Sequence, residues 1–157
     1  MCEYCGCQAV TTIDELTREH ELVLVLTGEM RSAHASRDAA VLADLARQVA
    51  AVLGPHTRVE EEGLFPGLVA DFADHVHGLL AEHRRVDSVL GEAAEGVPAD
   101  PTWPARLASA VDTLREHIFK EQDGVFPAAL ATLSNSDWEA AEAVRSRVGT
   151  LLPVVGA

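Results

Sequence analysis

The chain has 157 residues, nearly half of them apolar, the length and composition of one ordinary domain with a sizeable core. Twelve basic residues against twenty-five acidic ones give a formal charge of −13, which repels phosphate backbones and anionic bilayers and excludes nucleic acid as a partner. No apolar run is long enough to cross a membrane, and the N-terminus lacks the basic start and apolar stretch of a secretory signal, so the expected location is cytoplasmic.

In chain order, residues 1–11 form a Cys-rich segment that holds all three thiols, Cys2, Cys5 and Cys7, as C-x2-C-x-C. Three thiols at one end cannot form a disulfide framework for a core. They make a candidate site for zinc or iron, or a dithiol–disulfide couple. Residues 12–157 carry helical periodicity throughout, and no stretch alternates like a strand. The first helix is expected from about Thr12 to Ala35, with Ile13, Leu16, His20, Val23, Thr27 and Met30 on its inward stripe. The second is expected from about Asp38 to Gly63, with Leu42, Leu45, Val49, Val52, His56 and Glu60 inward. The third spans about Ala70 to Ala94 (Phe72, Val76, Leu79, His83, Val86, Leu90), and the fourth about Thr102 to Gly124 (Leu107, Val111, Leu114, His117, Glu121). Ser36 or Asp38 caps the second helix; Gly63, Pro66 and Gly67 are expected to break the chain after it, as Gly124 and Pro127 do after the fourth. Residues 96–104 form the one clear loop, and Ser136-Asp137-Trp138-Glu139 has capping-box spacing for a short last helix to about Val148. The fold class that follows is all-α: an antiparallel up-down four-helix bundle with a short C-terminal fifth helix.

One line of the sequence is written twice. HTRVEEEGLFP at 56–66 returns as HIFKEQDGVFP at 117–127: His, three residues, Glu, two residues, Gly, an aliphatic, Phe, Pro. The repeat is larger still, because His20 precedes His56 by 36 residues, His83 precedes His117 by 34, and both His20 and His83 follow a Glu. Four His and two Glu thus sit on stripes that otherwise hold Leu and Val. Burying one such group without a partner costs a few kcal/mol, so the set needs something inside to satisfy it. In an up-down bundle all four His meet in one layer. A His and a Glu four apart on a helix lie about 6 Å apart along its axis, so each Glu can bridge two ions while its His binds one. Imidazole with bridging carboxylate suits iron, manganese or zinc better than magnesium or calcium. Iron is expected, because two His and two shared carboxylates leave each ion unsaturated, with room for an oxo or hydroxo bridge and a small ligand.

The pattern resembles the hemerythrin-like (HHE cation-binding) family over residues about 12 to 128. The resemblance rests on His20, on His56 and Glu60 in HTRVE, on His83, on His117 and Glu121 in HIFKE, and on the FP pair after each motif. It implies two iron ions, one served by His20 and His56, the other by His83 and His117, with Glu60 and Glu121 bridging. Oxygen-carrying members use a fifth His one turn before the third-helix His, where this chain has Leu79. The second bridging carboxylate also follows its His by four residues rather than five. The six-ligand set is more like bacterial hemerythrin-like proteins and iron–sulfur-centre repair proteins than the blood carriers.

Other residues invite roles around that centre. The Cys segment precedes helix one and is expected at the metal-proximal end, with His75 or His77 as a fourth ligand to a second metal or redox site. Glu61 and Glu62 face elsewhere than Glu60, solvated or backing a His. Phe65 and Phe126 are expected to plug the bundle end, and His34 to lie on the surface. The leading functional expectation is a di-iron protein that binds or reduces a small oxidant, namely O2, peroxide or nitric oxide. An enzymatic version decomposes peroxide or reduces nitric oxide. The alternatives are iron or oxygen sensing or storage, and iron donation for iron–sulfur cluster repair, which calls for a redox or iron-accepting protein partner.

Overall fold

The computed structural model describes residues 7–153. The helical stripes become six helices: α1 (Cys7–Ala35), α2 (Ala39–Arg58), α3 (Phe65–Gly91), α4 (Trp103–Lys120), α5 (Phe126–Thr132) and α6 (Asn135–Val148). Two π-helical turns, Val59–Leu64 and Glu121–Val125, join α2 to α3 and α4 to α5. Among the described residues there is no strand, and no helix is long and apolar enough to cross a membrane. Helix α1 packs along α2 and α4, α3 packs along α2 and α4, and α6 lies against the first π turn and α1. The result is the expected four-helix bundle with a short C-terminal helix added.

The boundaries differ from expectation in three places, and one choice left open by the sequence is decided. Helix α1 begins at Cys7, not Thr12. Asp38, rather than Ser36, caps α2, its side chain accepting from the Val41 N–H at 3.1 Å. Gly63, Pro66 and Gly67 do not break the chain. The backbone runs through them in a π turn and leaves helical geometry only at Phe72 (φ −131°, ψ 38°). A proline in an α-helix lacks an N–H and collides with the carbonyl four residues back. Here the turn before it is widened, the Phe65 N–H donating to the Glu60 carbonyl, and Pro66 falls in the first turn of α3, where its missing N–H costs nothing. Phe126, Glu121 and Pro127 repeat the device. The last helix is capped by Ser134, not Ser136. Leu133 and Ser134 are extended, as a cap requires, and Ser134 and Asp137 exchange hydrogen bonds of 2.9 and 3.2 Å.

The buried apolar residues fall into two clusters, one at each end. Val23, Met30, Leu42, Val49, Leu90, Trp103 and Leu107 belong to the first; Leu16, Val59, Leu64, Leu79, Phe126 and Trp138 belong to the second. Leu79, where the oxygen carriers have His, is thus part of an apolar cluster. Between the clusters lies a buried polar layer: Glu19, His20, His56, Glu60, His83, His117 and Glu121.

The two repeat glycines are not equivalent. A Cβ on Gly63 would lie 2.8 Å from the Ala141 backbone of α6, whereas one on Gly124 meets nothing within 4 Å. Gly63→Ala should therefore destabilise the fold by about 1–3 kcal/mol through overpacking. Gly124→Ala should be neutral or add about 0.5–1 kcal/mol by restricting the unfolded chain. Urea unfolding midpoints of the two variants check both signs.

Candidate metal centre

Each long helix delivers one imidazole to the layer: His20 from α1, His56 from α2, His83 from α3 and His117 from α4. Glu60 and Glu121 enter one turn beyond His56 and His117, at the start of the π turns. The carboxylates tie the halves together. Glu60 lies 2.9 Å from His56 Nε2 and 3.3 Å from His83 Nε2; Glu121 lies 3.0 Å from His117 Nε2 and 3.2 Å from His20 Nε2. Two overlapping groups result: His20, His56, Glu60 and Glu121, and Glu60, His83, His117 and Glu121. Within each, one ligand atom per residue lies within 4.8 Å of all the others.

The outer ring nitrogens are fixed from behind in crossed pairs. His56 Nδ1 meets Glu19 at 2.8 Å, and His117 Nδ1 meets Glu82 at 2.6 Å. Each of these carboxylates precedes the other helix's His in its own hairpin. His83 Nδ1 meets Glu61 at 2.8 Å, and His20 Nδ1 meets Gln122 Oε1 at 3.1 Å. A carboxylate or an amide oxygen only accepts, so each Nδ1 carries a proton and each ring turns Nε2 inward, the nitrogen a cation would take. The two aromatic rings of the repeat also cross over. Phe126 stacks on His20 at 5.5 Å between centroids, and Phe65 stacks on His83 at 5.9 Å. The π turn makes this possible, because Phe follows Glu by five residues and the wide turn brings it back over the same column.

The donor set fits a cation. Among the described residues, His20 Nε2 and all four oxygens of Glu60 and Glu121 are buried with no hydrogen-bond partner. His83 Nε2 and His117 Nε2 lie 2.9 Å apart, so a proton or a cation must keep their two lone pairs from facing each other. Positive charge in the layer removes both conflicts. The titration behaviour shows the same pull. Burial alone would depress His56 and His83, yet Glu60, with Glu19 on His56 and Glu61 on His83, outweighs it and raises them to about 10 and about 9. Burial opposes the ionised form of Glu60, but His56 and His83 hold it well below the ordinary carboxylate range.

A small cavity of about 10 Å³ touches the layer, bordered by the four imidazoles and Glu121 and walled by Leu53, Val86, Leu114 and Ile118. Its more exposed border is formed by Thr57, Glu82 and Asp87.

The profile of the hemerythrin family, described as the hemerythrin HHE cation binding domain, matches residues 11–129. The chain therefore belongs to the hemerythrin HHE cation-binding family, and the buried His and Glu groups are the part of it suited to holding cations. No curated protein and no solved structure matches the chain.

The six residues singled out from the repeat are thus brought together. His75 and His77 are exposed and join no ligand-like group among the described residues. Cys2 and Cys5 lie outside the described residues, as does the expectation that the Cys segment covers this end; Cys7 opens α1. His34 is exposed, as expected. Of the two flanking glutamates, Glu61 backs His83 while Glu62 pairs with Arg58 and Arg147 on the surface. The backing roles of Glu19, Glu82 and Gln122 were not read from the sequence, although Glu-His at 19–20 and 82–83 was visible as a repeated pair. Nothing in the sequence pointed to Arg145, which holds Glu19 from 126 residues away.

The shifts fix a pH dependence for the cation-free protein. The raised His56 and His83 contribute stability that is full below their ordinary value of 6.5 and is lost as pH climbs through about 9 and 10. The lowered Glu19 and Glu60 contribute stability present above their ordinary value of 4.5 and lost on acidification. Urea unfolding in chelator should show a maximum between pH 4.5 and 6.5. Cation loading at neutral pH should release protons and move that maximum upward, measurable as proton release in weakly buffered titrations.

Proposed function

We propose that this chain is a non-heme di-iron protein that binds or reduces a small oxidant such as O2, peroxide or nitric oxide. The observation that carries this reading is the pair of ligand groups that share two carboxylates. Each of Glu60 and Glu121 reaches one imidazole from each group, the arrangement needed to hold two cations side by side. On this reading His20 and His56 hold one iron, His83 and His117 the other, and Glu60 and Glu121 bridge. A bound iron pair would supply Lewis acidity and electrons.

The chain's own groups support the restriction to small ligands. The cavity at the layer is about 10 Å³, which supports a ligand of very few atoms over an organic substrate. Its aliphatic wall keeps bulk water away, and Phe65 and Phe126 close the opposite side against His83 and His20. Glu19, Glu61, Glu82 and Gln122 hold the imidazoles through Nδ1, so a cation that displaces the inward protons meets nitrogens already aimed at it. A merely structural role for the cations is disfavoured, because an apolar cluster at each end of the bundle already supplies a core.

Metal analysis should find two irons per chain. His56→Ala and His117→Ala should each lower the count toward one, and Glu60→Ala should lower retention of both. Anaerobic ferrous protein exposed to air should develop the near-ultraviolet and visible bands of a coupled diferric pair. Their reversal on degassing would indicate carriage, and their persistence oxidation chemistry. A protein that retains no iron and stays colourless in air would defeat the reading.

A further inference from the structure

The two halves of the centre are built alike near the ligands and differently behind them. Glu82, which backs His117, is 24% exposed and is met from outside by Lys120, itself 54% exposed. Glu19, which backs His56, is 1% exposed and is clasped by α6 and the chain just after it. Arg145 donates from Nη1 to Glu19 Oε1 and from Nη2 to Oε2, both at 2.8 Å. Thr150 donates to Oε1 at 2.7 Å. Arg145 is held in turn by the Gly149 carbonyl at 2.9 Å and by Glu15 at 3.0 Å, and is only 11% exposed. Arg145, Gly149 and Thr150 all lie beyond residue 129, where the family match ends.

We infer that α6 is part of the metal centre: Arg145 and Thr150 act as positioning residues for His56 through Glu19, so the cation held by His20 and His56 is retained more firmly than the one held by His83 and His117. This rests on the dinuclear reading above. A bidentate, buried guanidinium–carboxylate pair fixes both oxygens of Glu19 and excludes water from them. The Glu82–Lys120 pair lies at the surface, where a flexible, half-exposed ammonium on a partly exposed carboxylate constrains little. Glu82 can therefore swing away from His117 at little cost, freeing that ring to turn, whereas Glu19 cannot leave His56 without stranding a buried charge. The cavity borders the same contrast: Glu82 lines it and Glu19 does not.

The test is the release of iron from the full-length, iron-loaded protein to an excess of a chromogenic ferrous chelator under anaerobic conditions. Wild type should lose its iron in two phases of one equivalent each. Removing a group that orients a metal-bound histidine costs roughly 10–100-fold in retention, so Arg145→Gln should speed the slow phase by about tenfold or more and leave the fast phase as it was. Arg145→Lys should restore part of the difference. Lys120→Gln should change at most the fast phase. Arg147→Gln, on the same helix but paired only with surface Glu62, should change neither. If Arg145→Gln does not fold, Thr150→Val removes one hydrogen bond to Glu19 and should speed the same phase by a smaller factor. A single release rate in wild type, or a slow phase indifferent to both Arg145→Gln and Thr150→Val, overturns the inference. Should the protein bind only one iron, the dinuclear reading fails by itself. The role of Arg145 and Thr150 then stands if Arg145→Gln still speeds loss of that iron and falls if it does not.

Discussion

Two carboxylates and four imidazoles share one dry layer of this bundle, and they cannot do so without positive charge between them. Everything around the layer serves that constraint. Helix register sets the heights at which the rings meet. The apolar clusters on either side keep the layer from water, which makes each unsatisfied oxygen more costly and each cation–ligand contact stronger. The acidic groups behind the rings fix their protons outward. A layer of this kind is stable when filled and conflicted when not, so the folding free energy and the affinity for cations are two readings of the same interactions.

The centre is assembled by exchange between hairpins. Glu19, from the first helix of one hairpin, backs the His of the second helix beside it, and Glu82 does the same in the other hairpin. Glu61 and Phe65 of the first hairpin reach His83 of the second, while Gln122 and Phe126 of the second reach His20 of the first. Neither hairpin contains a finished half-site. The symmetry then breaks where the copies meet different neighbours: an amide stands on one side where a carboxylate stands on the other, and a buried guanidinium where an exposed ammonium does. Gly63 is needed by the approach of α6, while its counterpart Gly124 faces open space.

Much of this was legible in the sequence because the informative residues were misfits. Charged and polar side chains at positions phased for Leu and Val announce themselves, and a duplicated spacing removes chance as an explanation. The helices, the inward stripes and the six convergent residues follow from that argument. What was hidden has physical reasons. Gly and Pro signal a chain break by local rules, yet around Glu60 and Glu121 the break is absorbed by a widened turn, which no local propensity encodes. Ser136 carried the capping-box spacing, but the extended backbone at Ser134, just after the end of α5, moved the cap two residues earlier. The hold of Arg145 on Glu19 joins residues at opposite ends of the chain through tertiary packing alone.

The π turns make the distance between Glu and Phe, as well as the residues between them, a quantity on which the centre depends. EEGL and QDGV match in kind position for position, and both occupy the same wide coil. Dropping one residue from either would leave a perfectly good α-helix and would turn its Phe about a quarter of a revolution away from the ring it covers. A change in the length of these segments is therefore costly even where every remaining residue keeps its kind. The protein stores part of the address of its metal centre as a count, in a stretch whose composition looks like ordinary helix surface.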